Sequence, residues 1–230
     1  MNRNVSPLPK LSLPAPPCVL LTGFDAFGGA SINPSWLTAK ALDGKMVAGH
    51  KVVAAQLPTE FDASPIELAR LLTLHKPALV LCLGQAGGRS ALSIERIAVN
   101  VSDASMADNA GKQPMDEPIV GSGPAAYFST VPVRAMLETL QREGIAGEIS
   151  QTAGTFVCNH VFYTLMHALA TERDFSVSRG GFIHVPYLEE QGTPYMPLAD
   201  MVRGLHLVIK AALTSGDAPV QPTAGRAKIS

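Results

Sequence analysis

Three cysteines in 230 residues are too few and too scattered for a covalent framework. Cys18, Cys82 and Cys158 are odd in number and never form a Cys-x-x-Cys pair, which argues against a disulfide scaffold and against a structural zinc site. A reducing compartment, the cytoplasm, is the expected location. Charge of one sign is also missing: the formal net charge is -1, and no block of basic residues stands out. Nucleic acid and anionic lipid are therefore not expected partners. No apolar run reaches the roughly 18 residues of a membrane span, and the N-terminal segment lacks the basic-then-apolar layout of a secretory signal. Phosphate-binding spacing is absent too. Gly23 to Gly29 runs Gly-x4-Gly-Gly with no Lys-Ser/Thr after it, and Gly84 to Gly88 does not fit Gly-x-Gly-x-x-Gly. There is no internal repeat, and what these absences leave is a small or neutral partner.

What is present is apolar: 47% of the chain is hydrophobic and 16% charged, with no composition break, so one domain over 18–214 is expected. Residues 1–17, with Pro7, Pro9, Pro14, Pro16 and Pro17, read as a disordered lead-in, and 215–230 as a flexible tail. Between them strand and helix signals alternate. Val19 to Gly23, Lys51 to Leu57, Ala78 to Leu83, Gly147 to Gln151 and Phe182 to Val185 read as strands. Helices are predicted over Pro34 to Leu42 with Asn33 as cap, Pro65 to His75, Pro132 to Arg142, Val157 to Ala170 and Leu198 to Leu213. The middle, Ala86 to Ala126, is irregular with β-like pieces such as Arg96 to Val101. Such alternation predicts an α/β fold, three layers with helices on both faces of a mostly parallel sheet. Ligands should gather at the carboxyl ends of its strands.

The most informative segment is Gly154-Thr155-Phe156-Val157-Cys158-Asn159-His160, where a flexible stretch turns into an apolar helix. A thiol there meets unsatisfied N–H groups and a partial positive charge, which push it toward thiolate and can hold an oxyanion. The opposing reading makes Cys158 an inert small hydrophobe. His184 lies on a strand beside a Gly-Gly pair and is a candidate base, its ring on the face of Phe182. His160 is about 200° round the helix from Cys158 and is an unlikely partner for it; His167 reads as surface or packing. Glu95, before Arg96, is either an exposed ion pair or the carboxylate that orients an imidazole. Phe24 and Phe27 are either loop anchors or the walls of an apolar pocket.

Taken together, Thr22-Gly23-Phe24-Asp25-Ala26-Phe27-Gly28-Gly29, Asn33-Pro34-Ser35-Trp36, Gly84-Gln85-Ala86-Gly87-Gly88-Arg89 with Glu95-Arg96, the cysteine segment and Phe182-Ile183-His184-Val185-Pro186 resemble the type I pyroglutamyl peptidases, the pyrrolidone-carboxylate peptidase family. The resemblance runs from about Val19 to Leu213. It implies a three-layer α/β/α fold of the phosphorylase/hydrolase-like kind with a mostly parallel mixed sheet, and a cysteine peptidase that removes N-terminal pyroglutamate through a thioester. It also implies no metal or other cofactor, and a homo-oligomer, commonly a tetramer. Carried over by position, Cys158 is the nucleophile, His184 the base and then acid, and Glu95 its orienting partner. Phe24, Phe27, Gln85, Phe156 and Val157 match pocket positions, with the lactam expected in a slot between Phe24 and Phe27. One position departs. Where the family usually runs Asp-Ala-Arg, this chain has Asp103-Ala104-Ser105, so a cation near the site is missing and a catalytically weakened pyroglutamyl-peptide-binding homologue is the alternative. A phosphate-dependent enzyme of the same architecture is the further rival.

Overall fold

The structure, a computed structural model, describes residues 16–215. The expected lead-in and tail therefore lie outside the described residues, apart from Pro16, Pro17 and Ser215. In chain order the elements are β1 (Cys18–Phe24), α1 (Pro34–Ala41), β2 (Met46–Val47), β3 (His50–Leu57), α2 (Ala63–His75), β4 (Leu79–Gln85), β5 (Leu92–Glu95), β6 (Ile97–Val99), β7 (Ala126–Phe128), α3 (Val133–Arg142), β8 (Gly147–Ser150), α4 (Val157–Thr171), β9 (Arg179–Val185) and α5 (Leu198–Thr214). Seven strands form one mixed sheet in the order β2-β3-β1-β4-β9-β5-β8, and β6 with β7 makes a separate ribbon.

β1 and β4 are apolar on both faces because both faces are covered. Val19, Leu21, Leu79, Leu81 and Leu83 pack with α1, α3 and α5. Leu20, Val80 and Cys82 pack with α2 and α4 on the opposite side. This is the expected three-layer α/β/α arrangement. The Asn33 cap is also as expected: its Oδ1 accepts from the Ser35 N–H at 3.0 Å, and Pro34 opens the helix, where its missing N–H leaves no helical bond unmade.

Two parts of the sheet differ from the sequence expectation. β2 is a two-residue strand antiparallel to β3 that extends the sheet beyond it. More consequential is β5, which the sequence placed in the irregular middle: it is a strand of the main sheet, antiparallel to β9 and parallel to β8. Leu92-Ser93-Ile94-Glu95 alternates apolar and polar like a half-exposed strand, yet all four residues are buried. Of the expected piece from Arg96 to Val101, only Ile97 to Val99 is strand, paired with β7.

Of the polar side chains that hold that ribbon to α4, one makes three bonds. Asn159 is fully buried, donates from Nδ2 to the carbonyls of Val99 and Val101 at 2.9 and 3.0 Å, and accepts from the Val99 N–H at 3.0 Å. Asn159→Ala strands three backbone groups in a dry interface, at an expected cost of about 2–4 kcal/mol. Urea unfolding should show the midpoint falling with an unchanged m-value; a loss below about 0.5 kcal/mol would mean that the ribbon is held by something else.

Candidate active site

The parallel strands β1, β4 and β9 end at one rim of the sheet, and α4 begins there. Its approach turns at Gly154, whose φ of +77° favours a residue without Cβ, and Phe156 stands in extended conformation as its N-cap. Cys158 lies in the first turn. Its Sγ rests on the backbone of Gly84: a Cβ added there would lie 2.8 Å from the sulfur and 2.8 Å from the Phe182 ring. Gly84 is the register partner of His184 on the adjacent strand. A side chain at position 84 would therefore occupy the sulfur's seat beside the imidazole.

His184 is 4% exposed, with its ring centroid 4.9 Å from that of Phe182. Because β5 runs antiparallel to β9, Glu95 stands opposite Phe182 and diagonally from His184, on the same sheet face. The His184 Nδ1 lies 2.7 Å from Glu95 Oε1. A carboxylate can only accept, so Nδ1 carries the proton and Nε2 is left as the basic nitrogen. Glu95 is fully buried, and its ion pair is with Arg89, whose Nη1 donates to the same Oε1 at 2.8 Å. This excludes the reading of Glu95 as an exposed surface pair. Oε2 is buried with no partner among the described residues.

The electrostatics differ from the sequence expectation. The dense surroundings of the Cys158 sulfur push its pKa up to about 12, burial first and the Glu95 charge second; Arg89 opposes them, and the helix-start N–H of Cys158 opposes them least. His184 is held below the usual imidazole value, mainly by burial, with Glu95 working against that and Arg89 with it. The resting pair is thus thiol and neutral imidazole, not thiolate and imidazolium.

Other candidates separate cleanly. His160 bonds Ser102 Oγ through Nδ1 at 2.8 Å, packs edge-on to Phe61 and is pushed down to about 4 by burial, so it stays a neutral packing residue. His167 bonds the Tyr127 hydroxyl. Cys82 is fully buried, and the Cys18 thiol faces the His75 carbonyl. Among the described residues, no group of three or more His, Cys, Asp or Glu is placed to hold a metal ion.

The five expected pocket residues divide. Phe27 and Phe156 are partly exposed, with ring centroids 6.1 Å apart, and Phe61, which sequence reasoning missed, braces Phe156 edge-on at 5.3 Å. Phe24 is 2% exposed and Val157 fully buried in the core beneath them. The open aromatic pair is therefore Phe27 with Phe156, in place of the expected slot between Phe24 and Phe27. Gln85 alternates with Gly84, so its side chain leaves the Cys158 face; its Oε1 accepts from Gln191 Nε2 at 2.9 Å. Ser105 is exposed in a loop stitched to the approach of α4, where the Asp103 N–H donates to the Thr155 carbonyl and Thr155 Oγ1 to the Asp103 carbonyl. Arg89 and Gln191 carried no signal of their own beyond a basic residue in a glycine-rich loop and a glutamine after two acids.

Residues 18–215 match the family model described as pyroglutamyl peptidase. The chain is 52% identical over 204 residues to a pyrrolidone-carboxylate peptidase of Cupriavidus taiwanensis, covering 86% of this chain and 94% of that relative. It is 49% identical over 201 residues to one of Bacillus thuringiensis, covering 85% and 93%. The solved structure of pyroglutamyl peptidase I from Bacillus amyloliquefaciens superposes with a TM-score of 0.84 at 41% identity, over 86% of this chain and 98% of that one. That of pyrrolidone carboxyl peptidase from Thermococcus litoralis gives 0.83 at 40%, over 86% and 93%.

The seat at Gly84 can be tested directly. Gly84→Ala puts a Cβ within 2.8 Å of both the sulfur and the Phe182 ring, so both must give way, and if the sulfur is the nucleophile a displacement of about 1 Å costs on the order of 10²-fold in rate. Hydrolysis of a reporter substrate should fall by that much while the far-UV spectrum stays that of the parent; an alanine variant with parental turnover would show that the sulfur acts from elsewhere.

Proposed function

The chain belongs to the pyroglutamyl peptidase family and is a cysteine peptidase that removes N-terminal pyroglutamate from peptides; we propose that Cys158 is its nucleophile, His184 its general base and then acid, and Glu95 the carboxylate that orients the imidazole. The observation that carries this assignment is the seat of the sulfur: Sγ lies over Gly84, directly beside the strand position of an imidazole whose far nitrogen is fixed on a buried carboxylate.

In this reading the Nε2 of His184 takes the Cys158 proton as the sulfur attacks the pyroglutamyl carbonyl, so thiolate exists only as it reacts. Free N–H groups at the start of α4 hold the oxyanion. The imidazolium then protonates the departing amine, the C–N bond breaks and a thioester remains. Water, with His184 again as base, hydrolyses the thioester and returns the thiol. The lactam stands against Phe27 and Phe156, with Phe24 and Val157 shaping the floor from below and Gln85 contributing through its backbone. A neutral ring suits aromatic walls, because a carboxylate left unpaired beside it would be costly to bury.

The same proposal treats residues 18–214 as one catalytic domain acting in the cytoplasm as a homo-oligomer, with the tetramer as the expected form. No helix among the described residues is long and apolar enough to cross a membrane. Sedimentation of the purified chain reads the oligomeric state.

Two measurements test the chemistry. With a fluorogenic pyroglutamyl amide, Cys158→Ala should abolish release, and surviving release would falsify the assignment. In the same assay Ser105→Arg should raise turnover, by at most the about 10²- to 10³-fold that one oxyanion-stabilising group supplies. No change would show that position 105 lies outside the reacting field. The pH profile supplies the second. Base catalysis needs neutral His184, and a pKa held below 6.5 keeps it neutral further into acid. The acid fall of kcat/KM should therefore be centred below pH 6.5; a midpoint above 6.5 would mean that Glu95 outweighs burial.

A further inference from the structure

The two donors that meet on Glu95 Oε1 have different standing in the mechanism above: His184 reacts, whereas Arg89 has no step. We propose that Arg89 is a positioning residue for the catalytic set, which fixes the Glu95 carboxylate, supplies its counter-charge, and ties it to the chain leading into the nucleophile's helix. This inference rests on the assignment of Cys158, His184 and Glu95.

Geometry carries it. Arg89 Nη1 donates to Glu95 Oε1 at 2.8 Å, and Nη2 reaches the Thr152 carbonyl at 3.4 Å. Thr152 lies in the turn between β8 and α4, and its Oγ1 accepts from the Gly154 N–H at 3.1 Å, the residue whose left-handed backbone precedes the helix. One guanidinium thus spans the end of β5 and the approach to Cys158. A rigid planar fork suits such a double role, since its two N–H directions are set by the group itself.

The charge matters as much as the reach. Glu95 has no exposed surface and its Oε2 finds no partner among the described residues, so the desolvated carboxylate relies on the donors at Oε1. The other titratable groups acting at this point are Cys158 from α4, His184 from β9 and Cys82 from β4. Without Arg89 the carboxylate's charge would act unopposed on His184 and favour imidazolium, which cannot take the thiol proton. It would also act unopposed on the thiol, whose ionisation Arg89 eases and Glu95 hinders. With serine at position 105, Arg89 is the cation that acts on both partners of the proton transfer.

The test compares kcat and KM against pH for the full chain and for Arg89→Met, Arg89→Gln and Arg89→Lys, on the fluorogenic pyroglutamyl amide. Arg89→Met is expected to lose about 10- to 100-fold in kcat, as supporting partners of reacting groups do, with KM within about threefold. Its acid limb should move to higher pH. Arg89→Lys should restore the limb, because the charge returns, yet recover kcat only in part, because the fork does not. Arg89→Gln keeps a donor without charge and should show the methionine variant's limb, which preserves the test should the methionine variant fail to fold. An uncharged variant with the parental limb, a lysine variant no better than glutamine, or a loss confined to KM would each overturn the inference. Cys158→Ala in the same series separates the two levels: activity there sinks the underlying assignment, whereas an inactive alanine variant beside an unshifted uncharged Arg89 variant sinks only the role of Arg89.

Discussion

A carboxylate with no water to face cannot be casual about its partners. Glu95 is fully buried and places both of its contacts on one oxygen, so the imidazole of His184 and the guanidinium of Arg89 are each fixed by the same atom. Burying such a charge is tolerable only when the geometry of its hydrogen bonds is good, and that requirement reaches outward. It demands that β5 lie against β9 in one register, that the Gly84 to Arg89 loop fold back over β5, and that the turn before α4 stay within reach of the guanidinium. A one-residue slip of β5 would turn Glu95 to the opposite sheet face and leave His184 without its orienting partner.

The thiol shows two general effects in competition. A helix start favours thiolate, but such an interaction is worth about 0.3–1 kcal/mol in ordinary settings, and a tenfold change in ionisation corresponds to about 1.4 kcal/mol. Enclosure and the Glu95 charge carry the Cys158 pKa from 9.0 to about 12, so they win in the resting site. In the proposed reaction the helix N-terminus has its use later, when negative charge passes from sulfur to the carbonyl oxygen and the same N–H groups face it. A sulfur that stays protonated until an imidazole removes its proton is also protected, because oxidation proceeds through the thiolate.

Much of this was legible in the sequence, and what was not has a common cause. The layered fold followed from apolar strands and helical periodicity, and Cys158 stood out because a small, flexible stretch running into an apolar helix is a local pattern. His184 was legible as a candidate by strand parity, which put it on the Phe182 face. Its partner Glu95 came only through the family resemblance and not from spacing, since His184 and Glu95 are 89 residues apart and meet only because two strands of opposite direction pair. Leu92 to Glu95 fell inside a middle that reads as irregular because glycine, asparagine, aspartate and proline are scattered through it, and its two polar residues, Ser93 and Glu95, are buried only by strand pairing. The pocket was half visible: Phe27 and Phe156 are where a ligand could meet them, but the parity that buries Phe24 with Leu20, and sends Gln85 away from Gly84, had to be followed to the ends of the strands. Phe61 and Arg89 depend on tertiary approach alone.

The position of β9 in the sheet explains why a histidine strand of this kind is central and not at an edge. Its neighbour on one side, β4, runs parallel and offers Gly84, a bare stretch of backbone on which a sulfur can rest. Its neighbour on the other side, β5, runs antiparallel and offers Glu95 at a diagonal distance that a long acidic side chain can bridge. An edge strand has only one neighbour and would have to find either the seat or the carboxylate in a loop, where neither could be held as firmly. The reversal of direction between β4 and β5 across β9 sets a small residue and a large one on opposite flanks of the same imidazole; in the proposed reaction the one makes room for the nucleophile and the other fixes the tautomer that can deprotonate it.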